Sequence, residues 1–127
     1  MSMALRDRGK IRRLVRSFGY AIEGFRYVVA KEANMRIHVL ASFVVILASF
    51  WFRISLTEWL IVLLLIAGMF SLELMNTAVE KTVDLITTKR HPLAKHAKDA
   101  AAAAVLVYAC FAVIIGMLIF WKYIFFS

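Results

Sequence analysis

Three stretches of this chain are too long and too apolar for a water-soluble fold of its size. They are Ile37–Phe52, Leu56–Met75 and Ala100–Phe120. Each approaches the roughly 20 residues needed to cross about 30 Å of hydrocarbon at about 1.5 Å per residue. Three segments cannot close a barrel, so only helices satisfy their backbone groups in oil. Composition agrees: 127 residues that are 63% hydrophobic, with a mean hydropathy of +0.79, carry more apolar surface than one small soluble core can hide. The expected fold is therefore an all-α integral membrane protein, one membrane-embedded domain over residues 1–127. Its spans are expected at about 35–54, 56–87 and 99–125. The first seventeen residues lack an apolar core of the cleavable-signal kind, so no such signal is expected there.

The charge balance is +8, which in a soluble chain would point toward nucleic acid. Here the basic residues follow the membrane instead. Nine of the sixteen precede the first span and five lie between spans two and three, whereas the first loop holds only Arg53 and the tail only Lys122. The N-terminus and second loop are thus expected in the cytoplasm, and the C-terminus outside. Trp51, Trp59, Trp121 and Tyr123 cluster at span ends on the outer side, as an aromatic belt would. No nucleic-acid partner is needed.

Ahead of the first span, Ile11, Leu14, Val15, Phe18, Ile22, Phe25 and Val29 recur at helical spacing, with most charges off that stripe. This predicts an amphipathic helix over about 10–34, lying along the headgroups. The lone Cys110 sits in an apolar run and is expected to serve helix packing.

The stretch SLELMNTAVEKTVDL, residues 71–85, follows directly on an almost purely apolar run. On a helix, Glu73, Asn76, Glu80 and Asp84 fall at about 0, 300, 340 and 20°, one face within about 80°. Carboxylates that begin within the apolar zone call for a functional reading. Oxygen ligands of this kind suit Mg²⁺, which typically takes one or two carboxylates and completes its shell with water and phosphate oxygens. A carboxylate at the oil boundary is also placed to act as a general base toward a hydroxyl. Lys89, Arg90, Lys95 and Lys98 lie nearby in sequence to hold phosphate. Walker A, Gly-rich kinase and GxGxxG loops are all missing, so a nucleotide must be held another way.

These residues resemble a known family. ELMNTAVEKTVD is similar to the signature of the prokaryotic diacylglycerol kinases, Glu-x-x-Asn-Ser/Thr-Ala-x-Glu-x-x-x-Asp, and the likeness extends to KEANMR before the first span and AKDAA opening the third. The resemblance implies a small homotrimeric membrane enzyme that passes the γ-phosphate of Mg-ATP to a lipid alcohol in the bacterial plasma membrane. Position by position, it implies Glu73 as general base and Glu32 and Glu80 as the carboxylates holding Mg²⁺ with ATP. Asn76 stands between base and metal. Tyr20, Lys98 and Asp99 correspond to nucleotide contacts, with Lys89, Arg90 and His91 in a nucleotide-binding loop, and Arg13 corresponds to a lipid contact. GMFSLELMNTAVEKTVDLIT and HPLAKHAKDAA resemble the Gram-positive undecaprenol kinase branch more closely. Ala100, Ala101 and Ala102 stand where the diacylglycerol branch has Met-Gly-Ser, whereas Ala103 stands where the undecaprenol branch usually has glycine. The expected reaction is undecaprenol to undecaprenyl phosphate, recycling a lipid carrier for cell-wall synthesis. Phosphorylation of diacylglycerol to phosphatidic acid is the alternative. A small transporter is a distant third, because it would be expected to have four spans and a carboxylate near mid-bilayer.

Overall fold

Four helices account for nearly all of residues 3–126, the part that the computed structural model describes. Met1, Ser2 and Ser127 lie outside the described residues, and no strand occurs among the described ones. The helices are α1 (Met3–Lys31), α2 (Ala33–Phe52), α3 (Leu56–Ile86) and α4 (Pro92–Phe125). The chain forms two units, residues up to Ala33 and residues from Asn34.

The first unit is α1 alone. It begins at Met3 rather than near residue 10, because MALRDRGK holds strong helix formers and no proline. Ile11, Leu14, Val15, Phe18 and Ile22 are all exposed. The helix ends where Glu32 leaves helical geometry, its N–H still donating to the Val28 carbonyl at 2.8 Å.

The second unit contains three helices, each long and apolar enough to cross a membrane. Few of their residues are buried: in the most apolar stretch of α4 the share is 6%. Leu40, Phe43, Leu64, Leu106 and Leu118 are all exposed, a surface stable only against lipid or further protein. The chain is a membrane protein.

The turn between α2 and α3 explains how these helices fold back. Arg53 has φ 52°, in the left-handed region. Its N–H donates to the Phe50 carbonyl and the Ile54 N–H to the Ser49 carbonyl, both at 3.3 Å, which is the Schellman pattern. Ile54 then turns inward beside Val62 and Ile119, and Phe52, Trp59, Phe120 and Tyr123 pack around this cluster. Ser55 caps α3, accepting from the Glu58 N–H at 3.2 Å while its hydroxyl donates to Glu58 Oε1 at 3.0 Å. Glu58 Oε1 also accepts from Lys122 Nζ at 2.8 Å and Tyr123 Oη at 3.0 Å, tying α4 to the start of α3.

Further along, α3 and α4 approach closely at Gly68. The Tyr108 hydroxyl donates to the Leu64 carbonyl at 2.9 Å, and a Cβ built on Gly68 would stand 2.1 Å from that hydroxyl. Small residues allow such approaches between membrane helices.

α4 begins at Pro92, not near residue 99. Hydropathy misses the first two turns because PLAKHAKD is charged, but local chemistry starts the helix there. His91 Nδ1 accepts from the Leu93 N–H at 3.1 Å, and Pro92 occupies a first-turn position where its missing N–H costs nothing. Cys110 lies on an exposed face of α4 rather than in a packed interior.

Candidate active site

α3 runs unbroken from Leu56 to Ile86, so the polar residues after its apolar half stay in helical register. With Glu73 as origin, Asn76, Glu80 and Asp84 follow at about 4, 10 and 16 Å along the axis toward the second loop. The stripe passes from a buried environment to an exposed one. Glu73 is 2% exposed, Asn76 and Glu80 are half-buried, and Asp84 is exposed.

Glu73 is not left bare in this setting. His38 of α2 places Nε2 3.2 Å from Glu73 Oε1. Sequence reasoning gave His38 no role, and its one signal was a polar side chain near the start of an apolar span. Asn76 Nδ2 donates to Glu80 Oε1 at 3.5 Å, while Asn76 Oδ1 is buried with no hydrogen-bond partner. An orphaned carbonyl oxygen beside a carboxylate is a donor set that fits a hard cation such as Mg²⁺. Among the described residues no three His, Cys, Asp or Glu side chains form a ready metal cluster.

At the loop end of the stripe the structure opens a polar cleft of about 650 Å³. Asp84, Lys89, Arg90, His91, Lys98 and Asp99 all line it, so five of the expected nucleotide contacts do converge. Lys98 Nζ reaches Asp84 Oδ1 at 2.5 Å, bridging α4 and α3, and Lys95 Nζ pairs with Asp99 Oδ2 at 2.5 Å. The loop itself is organised by Thr87, whose hydroxyl accepts the Lys89 N–H at 3.1 Å. Four basic side chains, Lys89, Arg90, Lys95 and Lys98, around one concavity favour a polyanion.

A second cavity, also about 650 Å³, is almost wholly apolar. Its lining runs from His38 past Val45, Met69 and Gly116 to Trp121 and Phe125. The His38–Glu73 pair therefore stands at one end of an apolar groove. Ala100 to Ala104, which open with the stretch that separates the two family branches, line neither cavity, and Ala102 to Ala104 are exposed.

The other expected site residues belong to the first unit. Arg13 and Tyr20 are exposed on α1, the Arg13 carbonyl accepting from Ser17 Oγ at 3.0 Å. Glu32 is half-buried at the break after α1.

Known proteins resemble this chain over most of its length. The family model described as prokaryotic diacylglycerol kinase matches residues 19–120. A Bacillus subtilis protein named undecaprenol kinase is 51% identical over 89% of this chain and 92% of its own. Two proteins named diacylglycerol kinase follow. That of Synechocystis is 41% identical over 81% of this chain and 59% of its own, and that of Pseudomonas aeruginosa 35% identical over 76% and 79%. With its membrane helices and acidic stripe, the chain belongs to the prokaryotic diacylglycerol kinase family.

Proposed function

We propose that this protein is a lipid kinase that transfers the γ-phosphoryl group of ATP to undecaprenol. One observation carries the reading: the buried carboxylate of Glu73 lies between an apolar groove and a polar stripe that leads to a basic cleft. A lipid alcohol and a nucleotide need those two opposite environments, and their reacting ends must meet at a base. The name of the Bacillus subtilis relative supports undecaprenol, and those of the other relatives support diacylglycerol as the alternative.

In this reading Lys89, Arg90, His91, Lys98 and Asp99 hold the nucleotide in the cleft, with Tyr20 a further contact. Its phosphates run along α3 past Glu80 and Asn76. Glu80 and Glu32 would each hold Mg²⁺ through a carboxylate, and the ion would supply charge neutralisation at the phosphates. Glu73 takes the proton of the lipid hydroxyl as that oxygen attacks the γ-phosphorus. The bond from the γ-phosphorus to the bridging oxygen breaks, and its electron pair leaves with ADP. The apolar groove takes the hydrocarbon next to the hydroxyl, and Arg13 contacts the lipid near the headgroups. Positioning and charge stabilisation supply most of the rate in such a transfer.

The same reading makes the chain one membrane-embedded domain in the bacterial plasma membrane. α1 lies on the cytoplasmic headgroups, the N-terminus and second loop are cytoplasmic, and the C-terminus is outside. A homotrimer, implied by the family resemblance, would cover part of the exposed apolar helix surface. The test is a head-to-head assay of purified protein in detergent with Mg-ATP and either undecaprenol or diacylglycerol. Lipid-dependent ATP turnover is expected, with undecaprenol preferred. ATP turnover independent of both lipids, or none with either, overturns the assignment.

A further inference from the structure

Within the site just proposed, His38 contacts Glu73, and the transfer as described leaves that contact unused. The two side chains come from different helices, α2 and α3, and are 22% and 3% exposed. A carboxylate this buried is costly unless a donor satisfies it. His38 Nε2, 3.2 Å from Oε1, is that donor when it carries the ring proton. The imidazole also lines the apolar groove, so it sits where groove and carboxylate meet.

We propose that His38 is the positioning residue of the base. Its Nε2–H donates to Glu73 Oε1 and fixes the carboxylate plane, so the other oxygen, Oε2, takes the proton of the acceptor alcohol. His38 neither gains nor loses a proton in the step. The alcohol proton goes to Oε2, the alcohol oxygen forms the new bond to the γ-phosphorus, and the broken bond's electrons leave on ADP. A base oriented by a third group is the usual arrangement where a carboxylate or imidazole must meet a hydroxyl in one geometry. The proposal rests on the reading of Glu73 as the base, and its test separates the two.

The test compares full-length wild type, His38→Leu, His38→Asn, His38→Gln, Glu73→Gln and the Glu73→Gln/His38→Leu double variant. Lipid-dependent kcat, KM for Mg-ATP and thermal unfolding in detergent are measured for each. The glutamine amide nitrogen can reach the place of Nε2, whereas that of asparagine falls short, near the place of Nδ1. The expected result is a kcat about 10- to 100-fold lower in His38→Leu, with KM for ATP within about two-fold. His38→Gln should recover most of that loss and His38→Asn little of it, and the double variant should be no slower than Glu73→Gln. A near-dead Glu73→Gln beside a full-rate His38→Leu overturns the positioning role alone. Wild-type turnover in Glu73→Gln overturns the base and this role together. If His38→Leu fails to fold, equal rates in the glutamine and asparagine variants overturn the proposal, and a glutamine-only recovery supports it.

Discussion

Lys98 of α4 bonds to Asp84 of α3 with Nζ 2.5 Å from Oδ1, and both side chains line the basic cleft. The side chains are 39% and 48% exposed, so water and salt screen the pair and its stability contribution is at most about 1 kcal/mol. In the proposed reading its value is directional, because it holds a flexible ammonium in the cleft proposed to take the nucleotide. Lys98→Ala should raise the KM for ATP by about ten-fold or more, the loss of one charge-assisted contact. Asp84→Asn should raise it less, since the ammonium remains, while thermal unfolding shifts little in both. Equal ATP affinity in wild type and Lys98→Ala, by direct binding, would take Lys98 out of the nucleotide site.

Glu73→Gln keeps the size and hydrogen-bonding capacity of the side chain but cannot accept a proton. Turnover should fall by about 10²-fold or more, with ATP binding nearly unchanged. Steady-state rates with lipid in excess, beside equilibrium ATP binding, measure both quantities. A variant with normal turnover would show that the proton goes elsewhere.

The row Glu73, Asn76, Glu80 and Asp84 was legible in the sequence because a helix repeats every 3.6 residues and nothing between Leu56 and Ile86 interrupts it. The three spans were legible for a similar reason, since oil admits few backbone solutions. The partners of that row were not legible. His38 is 35 positions from Glu73, and Asp84 pairs with Lys98 across a turn, so neither contact leaves a periodic trace. The start of α4 at Pro92 was missed because its first turns are charged, and hydropathy reports solvent preference, not helicity. The apolar groove draws on α2, α3 and α4 together, and no single run of residues could announce it.

Glu80 is proposed to hold Mg²⁺ beside the orphaned Asn76 oxygen. Glu80→Gln should raise the Mg²⁺ concentration for half-maximal rate by about ten-fold, corresponding to about 1.4 kcal/mol of lost affinity. Glu32→Gln, tested separately, should act in the same direction. Mn²⁺ and Ca²⁺ titrations in parallel distinguish a lost ligand from a general loss of rate. Unchanged Mg²⁺ curves in a variant would remove that residue from the metal site.

Gly68 allows the Tyr108 ring to lie against α3 and bond to Leu64. In Gly68→Ala the new methyl would fall on the Tyr108 hydroxyl, forcing the ring away. The expected cost is about 1–3 kcal/mol of stability, the range for overpacking a close helix contact. Tyr108→Phe removes only the hydroxyl and should cost about 0.5–1.5 kcal/mol. Adding Gly68→Ala to Tyr108→Ala should cost little more, since the clash is already gone. Denaturant unfolding in mixed micelles gives all four values, and additive costs in the double variant would contradict the contact.

The groove that ends at His38 is apolar along its length, and a Cβ added at Gly116 would meet nothing within 4 Å. A larger side chain there would project into space proposed for hydrocarbon without disturbing the helix packing. Undecaprenol, a branched hydrocarbon with one hydroxyl, leaves no acceptor unpaired against such walls. The ester carbonyls of diacylglycerol would need partners, each unpaired one costing about 1–3 kcal/mol. Wild type should therefore prefer undecaprenol by about one to three powers of ten in kcat/KM. Gly116→Leu should raise the KM for undecaprenol severalfold, while the KM for ATP and the unfolding midpoint stay near wild type. Ala102→Ser tests the rival location at the start of α4. If the lipid site is the groove, that exposed serine should leave the preference unchanged, because Ala102 lies outside it. A preference that moves with Ala102→Ser and not with Gly116→Leu would relocate the lipid to the alanine run and leave the proposed phosphoryl-transfer site where it is.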